Sequence, residues 1–490
     1  MMLVNPEESD FSLESPIWTR KGIEDLLSTF RLNPNFGVAA NILDKLPLEY
    51  VSLIPRDIIP ELQDLITELF RSFTIELFIE KYQLIFLNFI NKCPSDMVRT
   101  VLINFILPNL NEKTVTHLKS RGQAIIVAIT RRLSDCTCSE IVAEAVRPFV
   151  DCPEVQLELA EGTKHEDSLI RFKYYAVAEA VLMKSPTTHF QAISPMMKGI
   201  MGEIRSGDQL TIYAALNMLA EIIPERAQVI KYYIQMGIPD LIFECMSGGE
   251  EEFEETFQFA GIIKFLSFYA ATDYSVLVEY SYIVDILVKM VISYEEYEVT
   301  KGYLALGSFA AAFSTPQSKS LLMKGGLDES VMESVVESYT KALIRGSNSL
   351  KLRSLDALSL FFRDCSEDGE EGLESVFNLF NSSFFVRLLS NLKTPITEIR
   401  MGTQLLVTMF LQYEWGFKCV YGYDFNFFKV FLDRSTDQNA EGMQNKYDIL
   451  QILVTKYGTK LKADDLTLAE TYLRNGAVYH PAPPEVAMEM

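Results

Sequence analysis

The sequence predicts an all-α fold in which helical repeats of two or three helices stack into an α-solenoid. Apolar residues recur every three or four positions, as at Leu65, Leu69 and Phe70, which lines one face of a helix. Prolines stand where helices should begin, because the first helical position does not need an N–H donor: Pro60, Pro195 and Pro239. Small residues then recur at about the length of one repeat.

These small residues mark the middle of each presumed second helix: Ala176, Ala214, Ala260, Ala305, Ala357 and Thr403. Their intervals run from 38 to 52 residues, close to the period of about 40 to 47 residues of HEAT or armadillo units. Neither helix of such a unit can bury its apolar side alone, so neighbouring units must stack. The alternative is an irregular α-helical bundle, which the uneven intervals leave open.

We expect residues 18–476 to form one HEAT- or armadillo-like solenoid, helical from about Trp18 to Arg474. A partly flexible segment, residues 1–17, precedes it, and a Pro-rich flexible tail, residues 477–490, follows it. Prolines of the tail cannot continue a helix, so residues 481–490 should be mobile and dispensable for folding.

Charge excludes two classes of partner. The 490 residues include 44 basic and 66 acidic side chains, a net charge of −22 that repels phosphate backbones and anionic lipid. No stretch offers 18 apolar residues free of charge, so we expect no membrane span. Nucleic acid and membrane are therefore not expected as partners, and we expect a monomer when the protein is free.

The seven cysteines form an odd, scattered set with no secretory leader ahead of them: Cys93, Cys136, Cys138, Cys152, Cys245, Cys365 and Cys419. This pattern indicates reduced thiols in cytosol or nucleus. Cys136 and Cys138 are the only close pair, but without a second pair they are better explained as ordinary helix-end cysteines than as a zinc site. We expect no metal and no cofactor.

Catalytic motifs are missing from the sequence. It contains no phosphate-binding glycine loop, no H-E-x-x-H and no G-x-S-x-G. The four histidines are dispersed, and their spacing suggests no nucleophile for any of them: His117, His165, His189 and His480. We therefore expect a binding protein and not an enzyme.

Acidic clusters supply the candidate binding residues, which are Glu250, Glu251, Glu252, Glu254, Glu255, Glu295, Glu296 and Glu298. A third cluster follows one repeat later: Asp364, Glu367, Asp368, Glu370 and Glu371. Equivalent positions align in a stacked solenoid, so these charges could form an acidic surface for a basic partner. The alternative is that they are solvated loops and helix starts, where carboxylates are favoured anyway.

Residues 407–431 are rich in aromatic side chains: Phe410, Tyr413, Trp415, Phe417, Tyr421, Tyr423, Phe425, Phe427, Phe428 and Phe431. Exposed together they would form a binding patch. We favour the simpler interpretation that large rings fill the core of a terminal repeat.

Motifs in the C-terminal half carry a family resemblance. They are Phe427–Ser435, Lys446–Asp448 and Tyr472–Gly476 with Tyr479, preceded by Gly261–Phe265 and Lys351–Ala357. Together they resemble, in order and spacing, the pattern of the 26S proteasome non-ATPase regulatory subunit 5 family. The resemblance extends over about residues 255–480.

That resemblance implies HEAT- or armadillo-like repeats and an assembly chaperone for the base of the 19S regulatory particle. Such a chaperone binds the C-terminal domain of one proteasomal ATPase subunit and is absent from the mature 26S proteasome. The matched residues would be structural, with Asp433 and Arg434 closing the last repeat and Tyr472 to Tyr479 packing the terminal tail.

Two other functions remain as alternatives. A nuclear transport receptor of importin type is an acidic solenoid that binds basic peptides, but it uses repeated Trp and Asn side chains, and this chain has only Trp18 and Trp415. A scaffold for some other basic partner is the second alternative.

Overall fold

A computed structural model describes most of the chain, in the following ranges: residues 18–134, 139–206, 208–246, 257–295, 299–322, 327–364, 369–422, 427–437 and 439–478. Every regular element in these ranges is a helix, so the predicted all-α class is confirmed. The N-terminal segment 1–17, the Cys136 and Cys138 pair and residues 479–490 of the predicted tail lie outside the described residues.

The chain divides into two compact units. Unit 1 comprises Met1–Met218 with Lys231–Cys245, and unit 2 comprises Leu219–Ile230 with Met246–Met490. The single continuous solenoid expected over residues 18–476 stays a prediction.

The described α-helices up to residue 246 are α1 (Arg20–Leu32), α2 (Phe36–Lys45), α3 (Ile59–Phe70), α4 (Ile75–Lys92), α5 (Asp96–Ile106), α6 (Glu112–Arg121), α7 (Gln123–Arg131), α8 (Ser139–Val146), α9 (Pro153–Gly162), α10 (Ser168–Lys184), α11 (Ser194–Ile204), α12 (Gln209–Glu225), α13 (Val229–Met236) and α14 (Ile238–Met246). Short 3-10 helices also occur at Leu48–Leu53, Arg56–Ile58, Leu107–Asn109, Arg147–Phe149 and Thr187–Ile193.

The α-helices described after residue 256 are α15 (Phe257–Thr272), α16 (Ser275–Glu279), α17 (Tyr282–Ile292), α18 (Val299–Ala312), α19 (Pro316–Leu321), α20 (Glu329–Arg345), α21 (Asn348–Phe361), α22 (Glu370–Asn378), α23 (Ser382–Asn391), α24 (Thr397–Phe410), α25 (Glu414–Tyr421), α26 (Phe427–Leu432), α27 (Ala440–Tyr457) and α28 (Ala463–Asn475). Arg434–Thr436 and Gly458–Lys460 are 3-10 helices.

Helices of unit 1 pack in two layers. In one layer α1, α3, α5, α8 and α10 each contact the next, and in the other α4 contacts α7 and α7 contacts α9. The apolar spacing explains the layers, because Leu65 and Leu69 of α3 are completely buried, as is Phe86 of α4. Thr74 caps the start of α4 by accepting a hydrogen bond from the Leu77 amide.

Unit 2 repeats the same arrangement more regularly. Helices α15, α18, α21, α24 and α27 form one layer, and α17, α20 and α23 lie beside them in the second. The pairs α17/α18, α20/α21 and α23/α24 are therefore successive two-helix repeats, and the fold is an α-solenoid.

The small residues lie in helices as predicted, but Ala260 is near the start of α15 and not in its middle, and Ala176, Ala214 and Ala260 are only half-buried. Each lies in a different helix, namely α10, α12, α15, α18, α21 or α24. Ala305, Ala357 and Thr403 are buried. Beside Thr403, a Cβ added to Gly402 would lie 3.5 Å from the Cβ of Leu355, which shows how closely α21 and α24 approach. The stacking confirms the solenoid over the irregular bundle.

Prolines also stand at the predicted helix starts. Pro60 is the second residue of α3, Pro195 the second of α11 and Pro239 the second of α14. The fixed φ angle of proline suits this position, so the sequence located these three boundaries correctly.

Candidate partner-binding surface

The predicted acidic contact residues are only partly described. Glu295 lies in a described range, and Glu250, Glu251, Glu252, Glu254, Glu255, Glu296 and Glu298 lie outside the described residues. Glu295 follows α17, is exposed, and accepts a hydrogen bond of 3.2 Å from the Tyr294 hydroxyl. Burial raises the pKa of Tyr294, and the neighbouring Glu295 carboxylate raises it further. The Tyr294 hydroxyl therefore keeps its proton and remains a donor. Contact between the eight predicted glutamates and a basic partner stays a prediction.

The third acidic cluster supports the helix-start interpretation where it is described. Glu370 and Glu371 occupy the first turn of α22, where carboxylates interact favourably with the amino end of a helix. Asp364 is exposed, and its backbone carbonyl accepts a hydrogen bond from the buried Lys319 ammonium. Glu367 and Asp368 lie outside the described residues.

A second surface is formed by the first layer of unit 2. Side chains on α15, α18, α21, α24 and α27 remain half-buried or exposed at three- and four-residue spacing, and we call them the open face: Lys264, Phe268, Tyr303, Gly307, Arg353, Asp356, Leu360, Leu405, Thr408, Asp448 and Gln451. It mixes both charge signs with apolar groups, and Leu405 is 40% exposed. This composition is that of an ordinary protein surface, from which the interfaces of non-obligate complexes differ little as a whole.

Contacts between neighbouring helices fix the open face. The Arg353 side chain lies beside Gly307, where an added Cβ would be 3.5 Å from the arginine Cδ. Tyr303 and Ser347 share a hydroxyl–hydroxyl hydrogen bond of 3.3 Å. Partial burial raises the pKa of Asp356, and the Arg353 charge opposes that shift. The face is therefore held by packing across α18 and α21.

The motif residues near the C-terminus are structural, as the resemblance implies. The Arg434 guanidinium donates 2.9 Å hydrogen bonds to the carbonyls of Tyr472 and Ala477, and it lies 3.5 Å from the centre of the Tyr472 ring. The Asp433 carboxylate accepts from the amide and hydroxyl of Ser435. Arg434 thus ties the 3-10 helix Arg434–Thr436 to α28, while Tyr479 lies outside the described residues.

A buried ionic cluster centres on Asp437, which is 1% exposed. Its carboxylate accepts hydrogen bonds from Arg400 and, at 3.0 Å, from Gln404, both on α24. It also pairs at 2.9 Å with Lys446 of α27. Burial alone would raise the pKa of Asp437, but hydrogen bonds from Arg400 and Lys446 hold it below its ordinary value. One carboxylate therefore joins α24 to α27.

The aromatic region 407–431 is core wherever its rings are described. The buried rings are Phe410, Tyr413, Trp415, Phe417, Phe427, Phe428 and Phe431, and Tyr421 is half-buried. Trp415 packs against Phe377 with 4.4 Å between ring centres. The core interpretation is confirmed for these residues, while Tyr423 and Phe425 lie outside the described part of the chain.

Metal-ligating side chains do not cluster in the described part of the chain. No cluster of three or more His, Cys, Asp or Glu side chains there could hold a metal ion. Cys93, Cys152, Cys245 and Cys419 are free of disulfide bonds, and burial raises the pKa of Cys419 to about 12, which makes it a poor nucleophile. None of the described helices is long and apolar enough to cross a bilayer.

These features define a helical-repeat protein of the α-solenoid class. The chain belongs to the proteasome non-ATPase 26S subunit family, whose model matches residues 50–490. Family membership associates the chain with the 26S proteasome. No curated protein sequence matches the chain.

Two engineered proteins and importin beta are among the solved structures that match the chain, all at low sequence identity. One engineered protein is 15% identical, covers 56% of this chain and 94% of its own, and gives a TM-score of 0.29. A second engineered protein is 13% identical over 94% and 99%, with a TM-score of 0.35. Importin beta is 11% identical over 93% of this chain and 64% of its own, with a TM-score of 0.45.

The sequence predicted a binding surface in the acidic loops. It did not identify the residues of the open face. A signal was present, because non-buried positions such as Arg353 and Asp356 lie three residues apart beside the buried Ser354 and Leu355. The polar side of an amphipathic helix identifies such residues only after the neighbouring helices are known.

Proposed function

We propose that this protein is a non-catalytic assembly chaperone that binds the C-terminal domain of a proteasomal ATPase subunit. It would act while the base of the 19S regulatory particle assembles, and it would be absent from the mature 26S proteasome. The observation that carries the proposal is the family match over residues 50–490, together with the motif resemblance in the same part of the chain. Cytosol, or nucleus, is the corresponding location.

The architecture supports a role in steric holding. Stacked helices offer a long preformed surface, so binding a folded domain costs little reordering of the chaperone. Since the sequence has no nucleotide motif, release must be driven by the ATPase client or by competing assembly contacts.

Two surfaces could contact the client. The acidic residues at 250–255 and 295–298 would attract a basic face, and such attraction between exposed charges weakens as salt rises. The open face, with Leu405 and Arg353, would instead bind through packing. The two surfaces differ in salt dependence, which separates them experimentally.

An affinity pulldown tests the function directly. The tagged full-length protein should recover proteasomal ATPases, identified by mass spectrometry, and should not recover the complete 26S particle. Recovery of basic import cargo would instead favour the nuclear transport alternative, although the chain has only two tryptophans, Trp18 and Trp415, and both are buried. Recovery of unrelated basic proteins would favour a scaffold.

Charge reversal tests the acidic surface. The test variant carries four substitutions: Glu251→Lys, Glu252→Lys, Glu295→Lys and Glu296→Lys. We expect slower association with the purified ATPase C-terminal domain and an unchanged melting temperature, because Glu295 is exposed and substitutions at exposed positions usually alter stability by less than about 0.5 kcal/mol each. Association rates at low and high salt provide the measurement.

A matched control reverses the same number of exposed glutamates in unit 1: Glu24→Lys, Glu49→Lys, Glu140→Lys and Glu166→Lys. It changes net charge equally, so it should slow association less if contact is local. Equal rates for wild type and test variant at both salt concentrations would exclude the acidic surface and direct the search to Arg353 and Leu405.

A further inference from the structure

The end of α7 carries the only Arg-Arg pair of the chain, Arg131 and Arg132, followed by Leu133 and Ser134. Two arginines at the third and second positions before a serine form the pattern that arginine-directed protein kinases recognise. Their substrate grooves present carboxylates that pair with guanidinium groups. The proposed chaperone function does not use this pair of arginines.

Ser134 lies in the turn that closes α7. The Leu133 amide donates to the Thr130 carbonyl at 3.1 Å, and the Ser134 hydroxyl donates to the Arg131 carbonyl at 2.9 Å. The hydroxyl therefore satisfies one of the carbonyls that a helix leaves without an intrahelical donor at its carboxyl end.

Cationic side chains approach the serine from two helices. The Lys173 ammonium of α10 donates to the Ser134 carbonyl at 3.2 Å. The Arg131 side chain is 57% exposed, and its guanidinium is held by Glu158 of α9 through an Nε–Oε1 hydrogen bond of 2.9 Å. A phosphate on Ser134 would lie within the reach of both cations.

We propose that Ser134 is a phosphorylation site for an arginine-directed Ser/Thr kinase. In the reaction the Ser134 Oγ forms a bond to the γ-phosphorus of ATP, and the bond from that phosphorus to the β,γ-bridging oxygen breaks. ADP leaves, and the hydroxyl proton passes to the catalytic aspartate of the kinase.

Phosphorylation would loosen the contact between α7 and α9. The ester oxygen can no longer donate to the Arg131 carbonyl, and a dianion at the carboxyl end of a helix opposes the helix dipole. A phosphate dianion also binds arginine more strongly than a carboxylate does, so Arg131 would leave Glu158.

Access requires a small local opening. Leu133 is completely buried and Ser134 is half-buried, so a kinase must bind this segment when the last turn of α7 opens. Helix ends open at a small fraction of the global free energy of unfolding. Modification should therefore be slower in the folded protein than in a peptide of the same sequence, but it should still reach completion.

Phosphorylation of the full-length protein tests the site. The protein is incubated with MgATP and, separately, with purified cAMP-dependent protein kinase and Ca²⁺/calmodulin-dependent protein kinase II, and modified residues are mapped by mass spectrometry. We expect Ser134 to be modified by at least one kinase, with loss of that signal in Ser134→Ala and a clear reduction in Arg132→Ala. Ser390, which has a single arginine three residues before it, serves as the internal control.

The proposal is overturned if neither kinase modifies Ser134 above the level of Ser390, or if Ser134 is modified only after thermal unfolding. Hydrogen exchange then tests the consequence. The phosphorylated protein should exchange faster over the last turn of α7 and along α9, and Arg131→Ala should reproduce the change in α9. Unchanged exchange in the fully phosphorylated protein would overturn the loosening of α7 from α9.

Discussion

Among the described residues, each unit contains one buried carboxylate that binds cationic side chains, but the two sites differ in their access to water. In unit 1 the Glu203 carboxylate of α11 accepts from the Arg171 guanidinium at 2.6 and 2.8 Å and from the Tyr175 hydroxyl at 2.8 Å. Both donors come from α10, one helix away. In unit 2 the Asp437 carboxylate binds Arg400 and Lys446, which come from two helices.

The difference lies in the cations. The Arg171 side chain is 20% exposed, whereas Arg400 and Lys446 are 7% and 1% exposed. Backbone carbonyls accept from the cations of both sites, since Arg400 donates to Thr394 at 2.7 Å and Lys446 to Asp433 at 2.6 Å, while Arg171 donates to His165 and Glu166 at 2.8 Å. If the Asp437 carboxylate were lost, the Arg400 and Lys446 charges would remain buried without water or a counter-ion. This loss should therefore cost unit 2 more stability than loss of the Glu203 carboxylate costs unit 1.

The first prediction concerns the loss of the negative charge of Asp437, in the drier of the two clusters. Asp437→Asn should destabilise unit 2 by about 3–5 kcal/mol, because Arg400 and Lys446 would remain buried with a neutral partner. Urea unfolding followed by circular dichroism measures the change. A loss below that of the unit 1 variant described next would contradict the comparison.

The pH dependence of this variant follows from the lowered pKa of Asp437. A lowered carboxyl pKa contributes stability that is fully present above the unfolded value of about 3.9 and is lost only as pH falls through the folded value. The contribution of the Asp437 carboxyl itself should therefore be the same at about pH 6 and about pH 8. Burial lowers the pKa of Lys446 and Asp437 opposes that shift, so Lys446 is the group whose titration the variant could change. A difference that changes across this range would mean that another group titrates with the cluster.

The second prediction concerns Glu203, whose carboxylate is likewise replaced by a neutral amide in the cluster that is more open to water. Glu203→Gln should cost about 1–3 kcal/mol, because the partly exposed Arg171 can regain water when the charge of its partner is lost. Burial alone would raise the pKa of Glu203, and hydrogen bonds from Arg171 and Tyr175 lower it. The same urea titration provides the value, and a cost equal to that of Asp437→Asn would show that exposure of the cation does not matter.

The third prediction compares two glycines. A Cβ on Gly442 would lie 2.7 Å from both the Asp437 and Asn439 side-chain oxygens, so Gly442→Ala should cost about 1–3 kcal/mol. A Cβ on Gly202 of α11 would meet nothing within 4 Å, so Gly202→Ala should stabilise by roughly 0.4–1 kcal/mol. Melting temperatures of the two variants should shift in opposite directions. If both melting temperatures rose, the side chains around Asp437 would be able to move and accommodate the added methyl group.

The fourth prediction concerns an exposed ion pair. Lys119 and Asp151 are 2.7 Å apart with side chains 31% and 49% exposed. Lys119→Ala should change stability by no more than about 1 kcal/mol, because water and salt screen such pairs. Thermal unfolding at low and high salt is the measurement, and a cost approaching that of Glu203→Gln would contradict the role assigned to burial.

The parts of the fold that follow from local patterns could be predicted from the sequence. Pro60, Pro195 and Pro239 mark helix starts through their own backbone constraint, and rings such as Trp415 enter the core because large apolar groups do so almost anywhere. The length of the repeat could be predicted from the spacing of small residues alone, such as Ala305 and Ala357.

The buried clusters could not be predicted in the same way. Asp437 meets Arg400 and Gln404 across 37 and 33 residues of sequence, and nothing local distinguishes it from an exposed aspartate. Lys446 lay in a recognised motif, yet its partner became evident only when α24 and α27 packed together. The acidic surface shows the same limit, because charge alone does not tell a binding loop from a solvated one.

The proposed function requires this proteasome-family solenoid to act during assembly and to leave before the 26S particle is complete. Sedimentation of cell extract through a glycerol gradient, with immunoblots for the protein, a base ATPase and a 20S subunit, tests it most directly. We predict that the protein sediments with ATPase-containing subassemblies and is missing from the fractions that hold the complete 26S particle. Stoichiometric presence in those heaviest fractions would contradict the chaperone proposal and make the protein a resident subunit.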